Sequence, residues 1–240
     1  MQLNPEVLFS VANFPITNTV ISTLITDIVI FMFVIIMKGV ITINPGNVQN
    51  VVEIVIDYFI GITEEIAGDK SIFIYPWVVS FFIFIVISNL IAQLPGFELI
   101  KIHLTSCEHK VPLLRSATSD LNMTLALAVT SVFITNYLSI KHIGVVSYIK
   151  RFVSFKMFPV FLFVGMLEFV NEFTKFISFS FRLFGNIFAG EKILATMYGL
   201  FPIIFPLPFI ILELMVAVVQ AIVFSMLTMV FMHIMTDRTH

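Results

Sequence analysis

Residues 168–191, EFVNEFTKFISFSFRLFGNIFAGE, carry several charged side chains inside a long apolar segment. Glu168, Lys175 and Arg182 recur every seven residues, and an α-helix returns each of them to within about 20° of the same face. Glu191 follows Arg182 by nine residues, so on an unbroken helix it would point about 180° away. The segment therefore predicts a helix with two polar sites on opposite faces.

The composition indicates a membrane protein. Of the 240 residues, 59% are apolar and 12% are charged, and the mean hydropathy is +1.05. A soluble domain carries about twice that share of charge. Several stretches of about 20 residues have almost no charge, which is typical of membrane-spanning helices. A net charge of −2 without a basic arm gives no sign of a nucleic-acid partner.

The hydropathy pattern predicts one all-α integral membrane domain over 1–240, with about five transmembrane helices and one amphipathic interfacial helix. The predicted transmembrane helices cover 18–37, 72–94, 120–140, 158–190 and 206–235. Residues 17–19 are predicted to cap the first of these helices, and residues 118–120 to cap the helix at 120–140. The amphipathic helix covers 47–68, where Glu53, Asp57 and Glu64 share one face. It is predicted to lie at the membrane surface, with contact to a protein partner as the alternative.

The last two predicted helices are too long to stand upright in a bilayer. Thirty-odd residues at about 1.5 Å each extend about 50 Å, whereas the hydrocarbon core is about 30 Å thick. Such a helix must tilt strongly or break. Two adjacent, strongly tilted helices with buried charges predict a hairpin that wraps around something curved.

The basic residues predict the orientation. They are densest at 141–156, and the positive-inside rule assigns that loop to the cytoplasm. Alternation of the spans then leaves the N-terminus outside and the C-terminus inside. Residues 1–17 resemble neither a cleavable signal nor a transit peptide. This favours a bacterial plasma membrane, with an organelle-encoded origin as the alternative.

Arg182 is the most informative intramembrane charge. Each such charge costs about 2.5–3.5 kcal/mol on insertion scales, and Arg182 has no acidic residue three or four positions away. A guanidinium stays charged, so it cannot relay protons by titrating. It can attract a carboxylate carried by a moving partner.

Glu191 and Glu213 have a different chemistry. A carboxyl group at membrane depth is driven towards its neutral form and can take up and release a proton. Gln220 follows Glu213 by seven residues and shares its face. A purely structural pairing of these groups is the alternative.

The remaining charges allow two interpretations. Glu168, Glu172 and Lys175 either form interfacial ion pairs or line a water path. Asp27, near the middle of the first span, either lies near a wet cavity or a helix contact or belongs to an ion path.

A metal site is not predicted. His103, Cys107 and His109 in the 96–118 loop are loosely spaced and form an incomplete ligand set. The lone cysteine also excludes an internal disulfide. We expect neither a metal nor a cofactor.

The segment FRLFGNIFAGE at 181–191, followed by Glu213 and Gln220, resembles subunit a of F-type ATP synthases. Weaker similarities at 16–19, 89–95 and 118–122 extend the resemblance over most of the chain.

The resemblance implies a hairpin packed against a rotating ring of c subunits, each with a membrane-embedded carboxylate. Two aqueous half-channels reach mid-membrane from opposite sides. The family's essential arginine matches Arg182, which faces the ring and keeps the half-channels apart. Its polar companions match Asn186 and Gln220.

The resemblance also implies roles for the acidic residues. Glu191 matches the acid of the outer half-channel, with Glu213 as its neighbour. Some members have histidine at one of these two positions, so here a carboxylate pair replaces a carboxylate–imidazole pair. Glu168 and Lys175 match polar positions on the cytoplasmic side, and Asn171 lies beside them.

The sequence therefore predicts a non-catalytic subunit that translocates ions, with no P-loop for ATP. The proton is the expected ion, although these residues do not distinguish H⁺ from Na⁺ or synthesis from ATP-driven pumping. The implied partners are the c-subunit ring, the b subunits of the peripheral stalk, the remaining ATP synthase subunits and the lipid bilayer. The alternatives are a stand-alone secondary antiporter or channel, against which the lack of an inverted repeat argues, and a structural membrane anchor.

Overall fold

The structure, a computed structural model, describes residues 7–11, 14–43, 45–93, 101–102, 111–112, 115–152, 160–200 and 206–237. The α-helices in these residues are α1 (Asn18–Val40), α2 (Asn47–Ala67), α3 (Ser71–Ala92), α4 (Leu121–Ile143), α5 (Val145–Phe152), α6 (Val160–Leu200) and α7 (Pro206–Thr236). Short 3-10 helices cover Gly68–Lys70 and Ala117–Ser119. Two antiparallel pairs of strands join β1 (Val7–Val11) to β2 (Phe14–Thr17) and β3 (Lys101–Ile102) to β4 (Val111–Pro112).

Within the described residues, four helical stretches are long and apolar enough to cross a membrane. They are Asn18–Val40, Asn47–Ala92, Leu121–Ile143 and Pro206–Thr236. The fold is thus that of an all-α membrane protein, as predicted, with the short strands confined to connecting segments.

One prediction for a connecting segment was wrong. Residues 141–156 were predicted as a loop, but α4 continues to Ile143 and Val145–Phe152 forms α5. Gly144, with φ of +91°, separates the two helices in a conformation that favours glycine. Before α1, where no element was predicted, the structure contains the antiparallel β1–β2 pair.

The predicted helix caps had different outcomes. Asp120 is the N-cap of α4, and its Oδ1 accepts a hydrogen bond from the Asn122 backbone N–H at 2.9 Å, as predicted. Thr17 occupies the N-cap position of α1, but its side chain makes no capping bond. Its hydroxyl instead lies 2.9 Å from the Thr19 hydroxyl.

The amphipathic helix α2 has the two faces that the sequence predicts. Glu53, Asp57 and Glu64 are exposed, whereas Phe59 and Thr63 are buried. The Thr63 hydroxyl lies 3.2 Å from the sulfur of Met229 on α7. The buried face of α2 therefore packs on the protein, and its position relative to the membrane stays a prediction.

Helix α7 lies at the centre of the fold and contacts α2, α3, α4 and α6. Its buried side chains recur every three or four residues and include Glu213, Ala217, Ala221, Phe224, Thr228, Met232 and Met235. Small residues in such a stripe let transmembrane helices approach closely. The Ser131 and Thr228 hydroxyls, 2.9 Å apart, link α4 to α7.

Helices α6 and α7 form an antiparallel hairpin. The Nζ of Lys175 lies 4.6 Å from the ring centre of Phe231, and the rings of Phe179 and Phe224 are 5.0 Å apart. Further along α6, Gly190 packs on Glu213. The residue numbers of the contacts on α7 therefore fall as those on α6 rise, which makes the two helices antiparallel. The sequence allowed a tilt or a break in α6, and the helix is continuous over 41 residues.

Candidate ion-translocation site

Arg182 lies on the exposed side of α6. The buried side chains Phe179, Leu183 and Ile187, which centre about 100° around the helix from Arg182, hold a neighbouring side of this stretch against the protein. The Arg182 Nη2 donates a hydrogen bond to the Ser178 hydroxyl at 3.3 Å. Among the described residues no carboxylate forms an ion pair with Arg182, so its charge faces outward from the chain.

Asn186, one turn beyond Arg182, shares a groove with Gln220 of α7. The groove has a volume of about 480 Å³. Apart from these two amides, its lining comes from apolar side chains of α7 between Pro208 and Val219. An apolar wall with two convergent amide groups can hold a polar partner in a fixed orientation.

Glu213 is 5% exposed and packs directly on the backbone of α6. A methyl group added at Gly190 would lie 2.9 Å from the Glu213 Oε1. Gly190 therefore provides the space that the carboxyl group occupies. Since Glu191 is the next residue, the two predicted acids belong to the same level of the α6–α7 hairpin.

Glu191 is on a different side of α6 from Arg182. Because α6 is unbroken, nine residues separate the two side chains by about 180°. Eleven residues separate Glu191 from Ser180, so these two share a side to within about 20°. The Ser180 hydroxyl lies 3.2 Å from that of Thr124, so this side faces α4.

A buried polar network next to Glu213 was not predicted. The Thr118 hydroxyl donates to the Asn89 Oδ1 at 2.6 Å, and the Asn89 Nδ2 donates to the Ala217 carbonyl at 3.5 Å. Ala217 lies one turn beyond Glu213 on α7. The network thus leads from the segment before α4 to the level of the buried acid.

The same network continues towards α1. The Thr19 hydroxyl donates to Asp120 at 2.8 Å, and the Arg115 backbone N–H donates to the Ser22 hydroxyl at 3.2 Å. All four residues are buried. The available signal in the sequence was the polar composition of the predicted helix ends, which by itself indicates only caps and helix boundaries.

The candidates nearer the start of α6 are not together with Arg182. The Lys175 Nζ donates to the Glu172 Oε1 at 2.7 Å, and both residues are buried. Glu168 is half-buried and Asn171 is exposed. The Lys175 side chain also lies under Phe231, so α7 covers α6 at this level.

One further candidate, Asp27, lies apart from this site and is exposed on α1. His103, Cys107 and His109 fall outside the described residues. In the part of the chain that the structure describes, no group of three His, Cys, Asp or Glu side chains has a metal-binding arrangement.

Comparisons with known proteins agree with this fold. The family model described as ATP synthase A chain matches residues 19–233. ATP synthase subunit a of Moorella thermoacetica is 30% identical over 229 residues, which cover 95% of each chain. The subunits a of Geotalea daltonii and Geotalea uraniireducens are 29% and 30% identical, each over 90% of this chain and 86% of the relative.

The long apolar helices and the buried polar groups define a multi-pass integral membrane protein. The chain belongs to the ATP synthase subunit a family. It is accordingly a non-catalytic subunit in the membrane sector of an F-type ATP synthase, as the sequence motif indicated.

Proposed function

We propose that this chain translocates an ion, expected to be the proton, between two half-channels beside a rotating ring of c subunits, with Arg182 separating the half-channels. The observation that carries the proposal is the environment of Arg182. It is exposed, it has the Ser178 hydroxyl as a hydrogen-bond partner, and no described carboxylate pairs with it. A permanent cation in that environment can attract an ionised carboxylate on a passing ring subunit.

The arrangement of the other polar groups supports two separate paths. Asn186 and Gln220 line the open groove beside Arg182. Glu213 lies inside the hairpin, next to the buried network that ends at Ala217. In the proposed mechanism Glu191 and Glu213 transfer the ion on the outer side, and the two amides orient the ring carboxylate or water near Arg182.

The membrane potential supplies a suitable driving force. One charge that crosses 100 mV releases about 2.3 kcal/mol. Neutralisation of a ring carboxylate lets it enter the lipid, and its ionisation draws it back towards Arg182. The proposed role of Arg182 is to make each ring carboxyl group release its ion into one half-channel before it passes. The ion therefore cannot leak directly from one half-channel to the other.

The candidates Glu168, Asn171 and Lys175 are proposed for the cytoplasmic end of the path. Asn171 and Glu168 are at least partly accessible. The buried ion pair of Lys175 with Glu172 favours a structural contribution from that lysine. The proposed partners are the c ring, along an α6–α7 hairpin that we expect to be strongly tilted in the membrane, and the b subunits of the peripheral stalk.

The proposed location is a bacterial plasma membrane, with the N-terminus outside and the C-terminus in the cytoplasm. The basic residues of 141–156 support this orientation.

The test is ATP-driven ion pumping by inverted membrane vesicles that contain the whole complex. Arg182→Ala is expected to reduce pumping to background, because no cation then makes the ring carboxyl groups release their ions. Arg182→Lys keeps the charge but loses the planar five-donor group, so we expect weak residual pumping. The matched control is Thr196→Ala on the same helix, since the Thr196 side chain is exposed and donates to the backbone of its own helix.

Copurification of the other subunits establishes that each variant complex is assembled. Passive ion leak, measured after removal of the soluble ATPase sector, is expected to persist or rise in Arg182→Ala. An assembled Arg182→Ala complex that pumps as well as Thr196→Ala would overturn the proposal.

A further inference from the structure

Asp27 is a carboxylate on the outer side of an apolar helix. It lies nine residues after the start of α1 and 13 before its end, so it is about 13 Å from one end of a helix about 34 Å long. Its side chain is exposed, and within the described residues no hydrogen bond or ion pair engages it. An aspartate is too short to reach the membrane surface from this depth as a lysine would.

The residues around Asp27 form an exposed stripe on α1. They alternate at spacings of four and three residues: Val20, Leu24, Asp27, Phe31 and Val34. This is the spacing of a seam between two helices that pack side by side. We name these five residues the α1 stripe.

The α1 stripe points away from the rest of the chain. The buried residues of α1 are Asn18, Thr19, Ser22 and Thr26. Ser22 and Asp27 are separated by five residues, or about 140° around the helix. Asp27 therefore lies outside the buried polar network, which argues against the ion-path role that the sequence allowed for it.

We infer that the α1 stripe binds one apolar transmembrane helix of another subunit, which carries a lysine or arginine side chain at the depth of Asp27. The apolar members of the stripe alone would suit lipid equally well. The carboxylate distinguishes a partner from lipid, because an ionised group at mid-membrane depth is costly unless an opposite charge neutralises it. One polar position in an otherwise apolar seam also fixes the register of the two helices.

This inference concerns assembly and does not depend on the ion path proposed for α6 and α7. The first test introduces a photoreactive phenylalanine analogue at Phe31 or at Met32 in the intact complex in its native membrane. Both positions are exposed, at 67% and 56%, and they lie at nearly the same depth. Phe31 belongs to the stripe, whereas Met32 is turned about 100° away from Phe31.

Illumination is expected to join Phe31 to one other subunit, within an apolar peptide that contains lysine or arginine. Met32 is expected to yield lipid adducts. Lipid adducts alone at both positions, a cross-link to a second copy of this chain, or a cross-linked peptide without a basic residue would each overturn the inference.

The second test changes the charge. Asp27→Leu is expected to lower the Phe31 cross-link yield and the retention of the partner in detergent by about three- to twentyfold, with Asp27→Asn between Asp27→Leu and the unmodified protein. Ile36→Leu is the control, because Ile36 is exposed about 180° away from Asp27. Asp27→Lys combined with an aspartate at the partner's basic position should restore both quantities. An unchanged cross-link in Asp27→Leu would contradict an ion pair at this position.

Discussion

The α6–α7 hairpin surrounds its two cations differently at two neighbouring levels. At one level Lys175 is buried, pairs with Glu172 at 2.7 Å and lies against the Phe231 ring. At the next level Arg182 is exposed, and an open groove extends beside Asn186. Both cations lie on nearly the same face of one helix, seven residues apart.

The difference lies in what covers that face. Phe224 and Phe231 of α7 pack against α6 near Lys175, and they exclude solvent and partners there. One turn beyond Arg182, Asn186 instead borders an open groove along α7. A cation that has a carboxylate within its own chain stabilises the hairpin, whereas a cation without one is available to another subunit.

The largest effect on stability is expected from Lys175→Met. It leaves the buried Glu172 carboxylate without its lysine, and breaking a buried ion pair in this way costs about 3–5 kcal/mol. The measurement is the fraction of complex that stays folded after heating in detergent. A loss of stability below about 1 kcal/mol would show that the pair contributes no more than an exposed salt bridge does.

The double variant Glu172→Leu with Lys175→Met sharpens this comparison. Replacement of both charges by apolar side chains should recover most of the lost stability. Ion pumping should also be retained if the pair is structural. A stable double variant that no longer pumps would instead assign Lys175 to the lining of the path.

The next effect is expected further along the hairpin, from Gly190→Ala. The added methyl group would lie 2.9 Å from the Glu213 Oε1 and must displace that carboxyl group. A shift of about 1 Å can lower a rate by about a hundredfold, although a flexible side chain can partly adjust. Glu191 is the next residue on the same stretch of α6, so the added methyl group is expected to disturb both acids, and we expect pumping to fall by about tenfold.

Gly199→Ala is the matched control, since the space around Gly199 within 4 Å is open and the residue is exposed on the same helix. Glu213→Asp removes one methylene group and should relieve part of the Gly190→Ala defect. If the two glycine variants pump equally well, the position of the Glu213 carboxyl group does not limit transport.

The sequence alone was sufficient for features that depend on one helix. The angle between Arg182 and Glu191 follows from their spacing, provided that the helix is continuous, and α6 is continuous. The Asp120 cap was likewise predictable, because its hydrogen bond reaches only two residues along the chain.

Contacts between helices were not predictable in the same way. Spacing assigns Lys175 and Arg182 to one face, but the crossing of α7 over α6 decides that one is buried and the other exposed. The Asn89 side chain reaches Thr118 and Ala217, which are 29 and 128 residues away in the chain. Such contacts depend on helix register and crossing angle, which a periodic pattern does not specify.

A smaller effect is expected when either acid near Gly190 is neutralised. Glu191→Gln and Glu213→Gln should each reduce pumping by less than about tenfold, because the remaining carboxyl group can still accept and release the ion. The double variant should approach the Arg182→Ala background. If either single variant were as inactive as Arg182→Ala, the two acids would not share one relay.

The smallest effect is expected for the neutral hydrogen bond between Ser131 and Thr228, which links α4 to α7 at 2.9 Å. Ser131→Ala and Thr228→Val should each lower stability by about 0.6 kcal/mol, the average for hydrogen bonds between transmembrane helices. Heating in detergent measures the stability of both single variants and of the double variant, which together give the coupling energy.

Ser131 and Thr228 are buried, as are Glu172 and Lys175, so burial is common to the two pairs and charge differs. A coupling energy above about 1.7 kcal/mol would exceed the range for neutral pairs. It would mean that burial, rather than charge, accounts for the stabilisation by the Lys175–Glu172 pair.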